Sequence, residues 1–269
     1  RQAHQIDAEV LAAGERLEVV ASPTTGTDHI DLDAAEARGV RVLTLKGETE
    51  FLASVRATPE HTSALLLVLA RHLPAAAAAA ADGAWDRDAH RGTELAGKRL
   101  GIFGLGRVGR IVAGYGQAFD MEVHAFDTAP VEMPGVAVAP SLDALLTASD
   151  VLLVHVPLDA TTHHALGASE LARLPKGALI VNTSRGAVLD EQALVDALTS
   201  GHLGGAAVDV LEDERAHGGH QTGPLVAFAR SHPHRAIVTP HIAGATWESM
   251  HRTEVFLAQR LQALITAGA

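Results

Sequence analysis

The stretch Gly104-Leu105-Gly106-Arg107-Val108-Gly109 has the glycine spacing of a main-chain cradle for phosphate. It follows an apolar run, Leu100-Gly101-Ile102-Phe103, and opens a helical pattern, which is the context in which such spacing carries meaning. The first glycine of a cradle allows the tight turn, and the second lets the backbone approach a pyrophosphate. The third lets helix and strand pack closely, with the phosphates resting on the helix N-terminus. His124-Ala125-Phe126-Asp127 then ends the next strand pattern with a carboxylate, 23 residues after Gly104. An acid there accepts hydrogen bonds from the ribose hydroxyls and repels a 2′-phosphate, and no arginine follows it closely to reverse that preference. The pair of motifs predicts a dinucleotide site for NAD rather than NADP.

Four later segments are hard to read as packing alone: His155-Val156-Pro157-Leu158, Val181-Asn182-Thr183-Ser184-Arg185-Gly186, Ala207-Val208-Asp209-Val210 with Glu214 five residues past Asp209, and Thr239-Pro240-His241-Ile242-Ala243-Gly244. Each ends a strand pattern. Ligands of open α/β sheets bind outside the carboxyl ends of the strands, so such a fold gathers these polar residues into one crevice.

The elements that must do this positioning alternate regularly. Strands are predicted near Arg99–Phe103, Glu122–Phe126, Val151–Val156, Leu179–Asn182, Ala206–Val210 and Ile237–Thr239, with helices at Arg107–Ala118, Leu142–Thr147, Ser169–Arg173 and Glu191–Thr199. Six strands at this spacing predict an α/β fold with a doubly wound parallel sheet of the Rossmann type. Ahead of them, Leu17–Ala21 and Val40–Leu45 read as strands flanking a helix over Asp33–Arg38 capped by Asp31. Thr58-Pro59-Glu60 opens a further helix, with Pro74 marking its end. Leu257, Leu261, Leu264 and Ile265 give the last segment a helical period, with Thr246 as its cap. The composition shift after Pro74 predicts a domain boundary there.

Composition bounds the function classes. The chain has 269 residues, 47% of them hydrophobic, a net charge of -11 and no cysteine. Disulfides and thiolate chemistry are excluded, and a cytoplasmic location is the expectation. Without basic runs, nucleic acid is a poor partner, and no stretch approaches the ~20 apolar residues of a membrane span. His217, His220, His232 and His234 invite a metal reading, but their spacing lacks supporting acids and 16 histidines are scattered over the chain. No metal is expected, and the segment 215–235 reads as a solvated, His-rich loop.

The order of motifs (glycine fingerprint, acid, Asn-Thr-Ser-Arg-Gly, Asp with Glu five on, Pro-His) resembles the D-2-hydroxyacid dehydrogenases, over nearly the whole chain from Thr25 to Met250. Leu45-Lys46-Gly47-Glu48-Thr49-Glu50-Phe51 is similar to a phosphoglycerate-dehydrogenase-like subgroup. The resemblance implies Arg185, Glu214 and His241 as the catalytic set. It implies Gly104, Gly106, Arg107, Val108, Gly109, Asp127, Val156, Pro157, Thr162, Thr183, Ser184, Asp209 and Gly244 as cofactor contacts, with Asp209 toward the nicotinamide. The chemistry suits these types. Hydride transfer to a 2-keto acid leaves negative charge on the carbonyl oxygen, and a histidine beside it supplies a proton. A carboxylate favours the imidazolium, and an arginine holds the substrate carboxylate in a bidentate fork. Glu214 is followed by Arg215 where the family often has proline, so Glu212 or Asp213 remain open as partners in that role.

The resemblance further implies a small flavodoxin-like α/β substrate domain from residues 1–74 and 246–269, incomplete at its start, beside an NAD-binding domain over 75–245. Thr25, Gly26 and Thr27 are then the loop for the substrate carboxylate, or an ordinary turn. A homodimer and a small 2-hydroxy or 2-keto acid substrate are expected. A non-catalytic NAD-sensing regulator or corepressor on the same fold is the alternative, and an NADP-dependent reductase a third reading.

Overall fold

The computed structural model describes residues 4–214 and 222–267. The chain forms two compact units, one of residues 1–57 and 244–269 and the other of residues 58–243. The smaller unit pairs β1 (Val19–Ala21) in parallel with β2 (Arg41–Leu43), and a parallel bridge joins Ile6 to Ile30. Leu11, Val20, Ile30, Ala35 and Val40 fill its core. Asp31 caps the Leu32–Ala37 helix through the Ala34 N–H, as its type and place predict. The Trp247–Ala267 helix belongs to this unit, and Thr246 accepts from the Ser249 N–H at its start. Leu257 packs with Leu45, Leu52 and Val55, and Phe256 stacks on Phe51 at 3.9 Å. Of the apolar residues that announced this helix, Ile265 is exposed, because the buried line runs through Ser249, Thr253 and Leu257.

The larger unit is a seven-stranded, fully parallel sheet: β3 (Arg99–Phe103), β4 (Glu122–Phe126), β5 (Val136–Val138), β6 (Val151–Val154), β7 (Leu179–Asn182), β8 (Gly205–Val208) and β9 (Ala236–Val238), in the order β5-β4-β3-β6-β7-β8-β9. Alternate residues of the central strands feed two cores. Leu152, Val154, Ile180 and Val208 face one, and Leu100, Ile102, Leu153 and Val181 face the other. Burial on both faces is what helices on both sides of a parallel sheet require. The strand order reverses between β3 and β6, which makes the carboxyl ends of those strands the crevice of a doubly wound sheet.

Sequence expectation and structure differ at several places, among them helices at Ala8–Ala13 and Thr49–Ala53 beyond those expected. β5 adds a seventh strand, too short and too exposed to show a buried run. The Ala57–Ala70 helix ends before Pro74, which instead occupies the first turn of a Leu73–Ala81 helix. Proline costs nothing there and alanine has the best intrinsic propensity, so the alanine run forms a helix rather than a linker. The unit boundary consequently falls at residue 58 and not at 75: Leu65, Leu66 and Leu69 of the first of these helices belong to the larger unit's core. Finally, the expected long loop contains a helix, Pro224–Ser231, opened by proline in its first turn and anchored by buried Leu225 and Phe228. His217 and His220 of that segment lie outside the described residues. Among the described residues no single helix is long and apolar enough to cross a membrane.

Candidate active site

Every polar segment singled out in the sequence of the larger unit sits beyond the carboxyl end of a parallel strand. The glycine corner follows β3. Gly104 has φ +98, a backbone that a side chain rarely tolerates, and a Cβ there would meet the His155 carbonyl at 2.8 Å. A Cβ on Gly109 would lie 2.1 Å from the Gly104 carbonyl oxygen, so this glycine lets helix and turn close on each other. Around Gly106 nothing lies within 4 Å of the Cβ position, and the residue is exposed at the start of the Arg107–Ala118 helix. Two glycines are thus demanded by the protein itself. The third leaves an open face at a helix N-terminus, the kind of place where N–H groups can receive an anion.

Asp127 follows β4 and braces this corner. One carboxylate oxygen accepts from the Leu105 N–H at 2.9 Å and the other from the Ala129 N–H at 3.0 Å. His155, at the end of β6, forms the opposite wall. Its Nε2 is buried with no hydrogen-bond partner among the described residues. Burial first, and the nearby Arg107 charge second, push its imidazole down to about 3, so the ring is neutral in ordinary buffer. Val156 is buried and Pro157 exposed; Thr162 closes the turn behind them, its hydroxyl donating to the Pro157 carbonyl at 2.7 Å and accepting from the Asp159 N–H at 2.8 Å.

The other half of the edge is held by side chains. At the end of β7, the buried Asn182 wraps the loop that follows it. Its amide nitrogen donates to the Arg185 carbonyl at 2.9 Å and its oxygen accepts from the Ser184 N–H and hydroxyl. Arg185 is partly exposed and extended, with one guanidinium nitrogen on the Ser184 carbonyl at 2.7 Å. A Cβ on Gly186 would fall 2.0 Å from the Leu211 carbonyl carbon, so that glycine is what lets the Arg185 loop rest on the segment leading to Glu214.

Past β8, the buried carboxylate of Asp209 accepts from the Thr239 hydroxyl at 2.5 Å, the Ile242 N–H at 2.9 Å and the Ala243 N–H at 2.7 Å. Three donors compensate its burial, and together they fold the turn beyond β9 around it. His241 sits in that turn at φ +53, a left-handed conformation that costs of order 1–3 kcal/mol off glycine and persists only where the surroundings impose it. Its N–H reaches the Asp209 carbonyl at 2.8 Å, and its Nδ1 lies 2.7 Å from Glu214 Oε1. A carboxylate partner requires the proton on Nδ1, which leaves Nε2 as the nitrogen that exchanges protons. Among the three neighbouring acids, Glu214 is the one on His241, whereas Glu212 pairs with His164 at 2.8 Å.

The start of the Ala57–Ala70 helix reaches the same strand ends. His61 Nε2 lies 3.2 Å from the Thr239 hydroxyl and 3.4 Å from Asp209, and the Thr62 hydroxyl bonds that of Thr183 at 2.8 Å. Two adjacent polar residues in front of the apolar run Ala64–Ala70 were the available signal, but nothing local says which strand ends they reach. Thr25, Gly26, Thr27 and Gly244 belong to the smaller unit. There the Thr24 hydroxyl donates to the Gly26 carbonyl at 2.8 Å and the Ile30 N–H to the Thr27 carbonyl, an ordered turn after β1.

Known proteins resemble the chain strongly. The model of the D-isomer specific 2-hydroxyacid dehydrogenase NAD-binding domain matches residues 63–243. D-3-phosphoglycerate dehydrogenase of Mycobacterium tuberculosis is 37% identical over 272 residues, covering 100% of this chain and 48% of that protein, so the chain spans about half that relative's length. Hydroxypyruvate reductase of Thermotoga maritima is 33% identical, covering 97% of this chain and 82% of the relative. Among solved structures, D-lactate dehydrogenase from Aquifex aeolicus, complexed with NAD and lactic acid, superposes with a TM-score of 0.86 at 31% identity, over 98% of this chain and 80% of that one.

Proposed function

The chain belongs to the D-isomer specific 2-hydroxyacid dehydrogenase family, and from that premise we propose that it is an NAD-dependent oxidoreductase acting on a small D-2-hydroxy or 2-keto acid. The observation that carries the proposal is the His241 Nδ1 to Glu214 Oε1 contact of 2.7 Å at the carboxyl edge of the sheet. The residues of the glycine corner fit a dinucleotide: an open Gly106 face at a helix start, Arg107 and Val108 beside it, and an acid at the end of β4. When bound, the nicotinamide supplies the hydride.

The remaining work falls to this chain's own side chains. His241 delivers a proton from Nε2 to the carbonyl oxygen as charge develops there, or removes it in the reverse direction. Glu214 fixes the tautomer and orients the ring. Arg185 takes the substrate carboxylate in a two-point clamp. Asp209 has a prior duty: its carboxylate shapes the turn that holds His241, so any contact with the cofactor's amide is made by a group already positioned. Val156, Pro157, Thr162, Thr183 and Ser184 line the same strand ends, and the Thr25-Gly26-Thr27 turn is assigned to the substrate carboxylate.

A homodimer and a cytoplasmic setting complete the reading, supported by the family likeness and the absence of cysteine. The deciding measurement is NADH oxidation against a panel of 2-keto acids, hydroxypyruvate, phosphohydroxypyruvate, pyruvate and glyoxylate among them. Turnover with at least one is expected. Tight NADH binding with no turnover on any would favour a sensor, and tighter NADPH than NADH binding would refute the role given to Asp127.

A further inference from the structure

We propose that His163, His164 and Glu212 form a binding site for a divalent transition ion of the zinc class. One ligand atom from each residue lies within 4.8 Å of the others, the only such group of three found among the described residues. The two imidazole rings lie tilted against each other with centroids 4.2 Å apart, and His164 Nε2 is 2.8 Å from Glu212 Oε1. Two imidazoles and a carboxylate are the donor set of open zinc sites, which leave a fourth position to water. Bonds of about 2.0–2.2 Å place tetrahedral ligand atoms about 3.3 Å apart, so donor atoms now within 4.8 Å of one another would close around the ion by side-chain rotation.

The scaffold beneath this group is held by contacts that a metal would not have to supply. The His164 N–H donates to the Ala187 carbonyl at 2.8 Å, and the Glu212 N–H to Glu191 Oε1 at 2.8 Å. Thr162, next in sequence, locks the turn on the other side. His164 itself has φ +50, a conformation that consecutive L-residues seldom adopt and that costs energy unless the surroundings enforce it. His163 and Glu212 are exposed, which gives an ion a path in. Glu191 and Asp213 lie near Glu212 and add negative potential around it. An ion there would tie the 159–166 turn to the segment carrying Glu214.

A second histidine group gives the contrast. His72 and His232 flank His234 with ring centroids 6.1 and 6.4 Å away, and neither the ring spacing nor a carboxylate at hand makes a ligand set there among the described residues. Histidine content alone therefore does not make the proposed site.

The test is calorimetric titration of the apo chain with zinc chloride, repeated with cobalt(II) and read by visible absorption. One site with the visible bands of four-coordinate cobalt is expected. His163→Ala, His164→Ala and Glu212→Gln should each weaken it at least ~10-fold, as losing a ligand does, and His232→Ala should leave it unchanged. Circular dichroism of each variant without metal verifies folding, and the exposed positions 163 and 212 carry the test should His164→Ala fold poorly. Absence of zinc binding by the wild type, binding unaffected by His163→Ala and Glu212→Gln, or loss of the site in His232→Ala would each overturn the proposal.

Discussion

The two halves of the sheet's carboxyl edge are built by different means. The glycine corner after β3 works through backbone: Gly104 supplies a left-handed φ, Gly109 a missing side chain, and Asp127 a brace on the Leu105 N–H. The Arg185–Glu214–His241 half works through side chains that grip main chain: Asn182 on the Arg185 loop, Asp209 on the His241 turn, Glu214 on the imidazole. The first half is shaped by backbone and uses one carboxylate as its brace. In the second, chemistry demands a histidine in a conformation the residue dislikes, so hydrogen bonds must hold it there. At Gly104 and Gly109 the corner has no room for an added atom, whereas a net of side chains fails when one donor or acceptor is withdrawn.

The largest expected effect tests the independence of the halves. His241→Ala should lower kcat by about 10²–10⁴-fold, the usual worth of a placed general acid, while NADH affinity by fluorescence titration stays within about twofold of wild type, since the His241 contacts among the described residues run to Glu214, Asp209 and Thr239. Near-normal turnover would remove the proton-donor role. A large loss of NADH affinity would show the halves to be coupled.

Next comes a pair of substitutions inside the glycine corner. In Gly109→Ala the new methyl would start 2.1 Å from a backbone oxygen, and the helix must move; a stability loss of about 1–3 kcal/mol in urea unfolding is expected even after alanine's better helix propensity. Gly106→Ala meets no atom within 4 Å, so stability should change by less than about 1 kcal/mol. Its cost should appear instead in NADH affinity, because the methyl occupies the face where phosphates approach. Equal unfolding curves for the two variants would refute this division of labour.

The same contrast governs how much the sequence disclosed. The glycine corner is contiguous, and one acid 23 residues on completes it, so residue types and spacing suffice. The four strand-end segments could be placed at one edge because parallel topology puts every carboxyl end there. What no spacing carries is the pairing across the edge. Choosing Glu214 over Glu212 for His241 depends on a turn conformation, and the His61 and Thr62 contacts depend on where a distant helix lands. Two of the helices that differ from expectation do so for separate reasons. The alanine run lacks an apolar period because it buries nothing, and Pro224–Ser231 hid within histidines and glycines although Gly223-Pro224 signals a helix start.

The third prediction concerns His155, which walls the glycine corner at the end of β6. Its folded imidazole is pushed down to about 3, while an unfolded histidine titrates near 6.5. Above 6.5 both states are neutral and its contribution is complete. As pH falls through that value the unfolded chain gains a proton that the folded one refuses, and stability drops. Between pH 7 and pH 5 the loss from this group is about 2 kcal/mol. Urea unfolding of wild type and His155→Asn at the two pH values measures it. If both proteins lose the same stability, the buried neutral ring is not the cause.

The smallest effect lies at the opposite end of the same strand. Asp150 precedes β6 and receives the Arg99 main-chain N–H at 3.0 Å and its guanidinium at 2.6 and 3.1 Å. The side-chain hydrogen bond to Arg99 outweighs partial burial and holds the Asp150 carboxyl below its ordinary value. Both side chains remain about a third exposed, and solvent screening limits the pair to roughly 1 kcal/mol or less. A depressed acid stabilises the fold above its unfolded value near 3.9 and loses that contribution only as pH falls below it. Asp150→Asn should therefore be slightly less stable than wild type at pH 7, and the difference should close below about pH 4. The acid sensitivity between pH 6.5 and 5 should survive intact in this variant, because it belongs to His155. Turnover and NADH affinity should also be unchanged, since the amino-terminal edge of the sheet faces away from both halves of the site. A changed kcat in Asp150→Asn would mean that strand position, and not only strand-end chemistry, is tuned from the far side of the sheet.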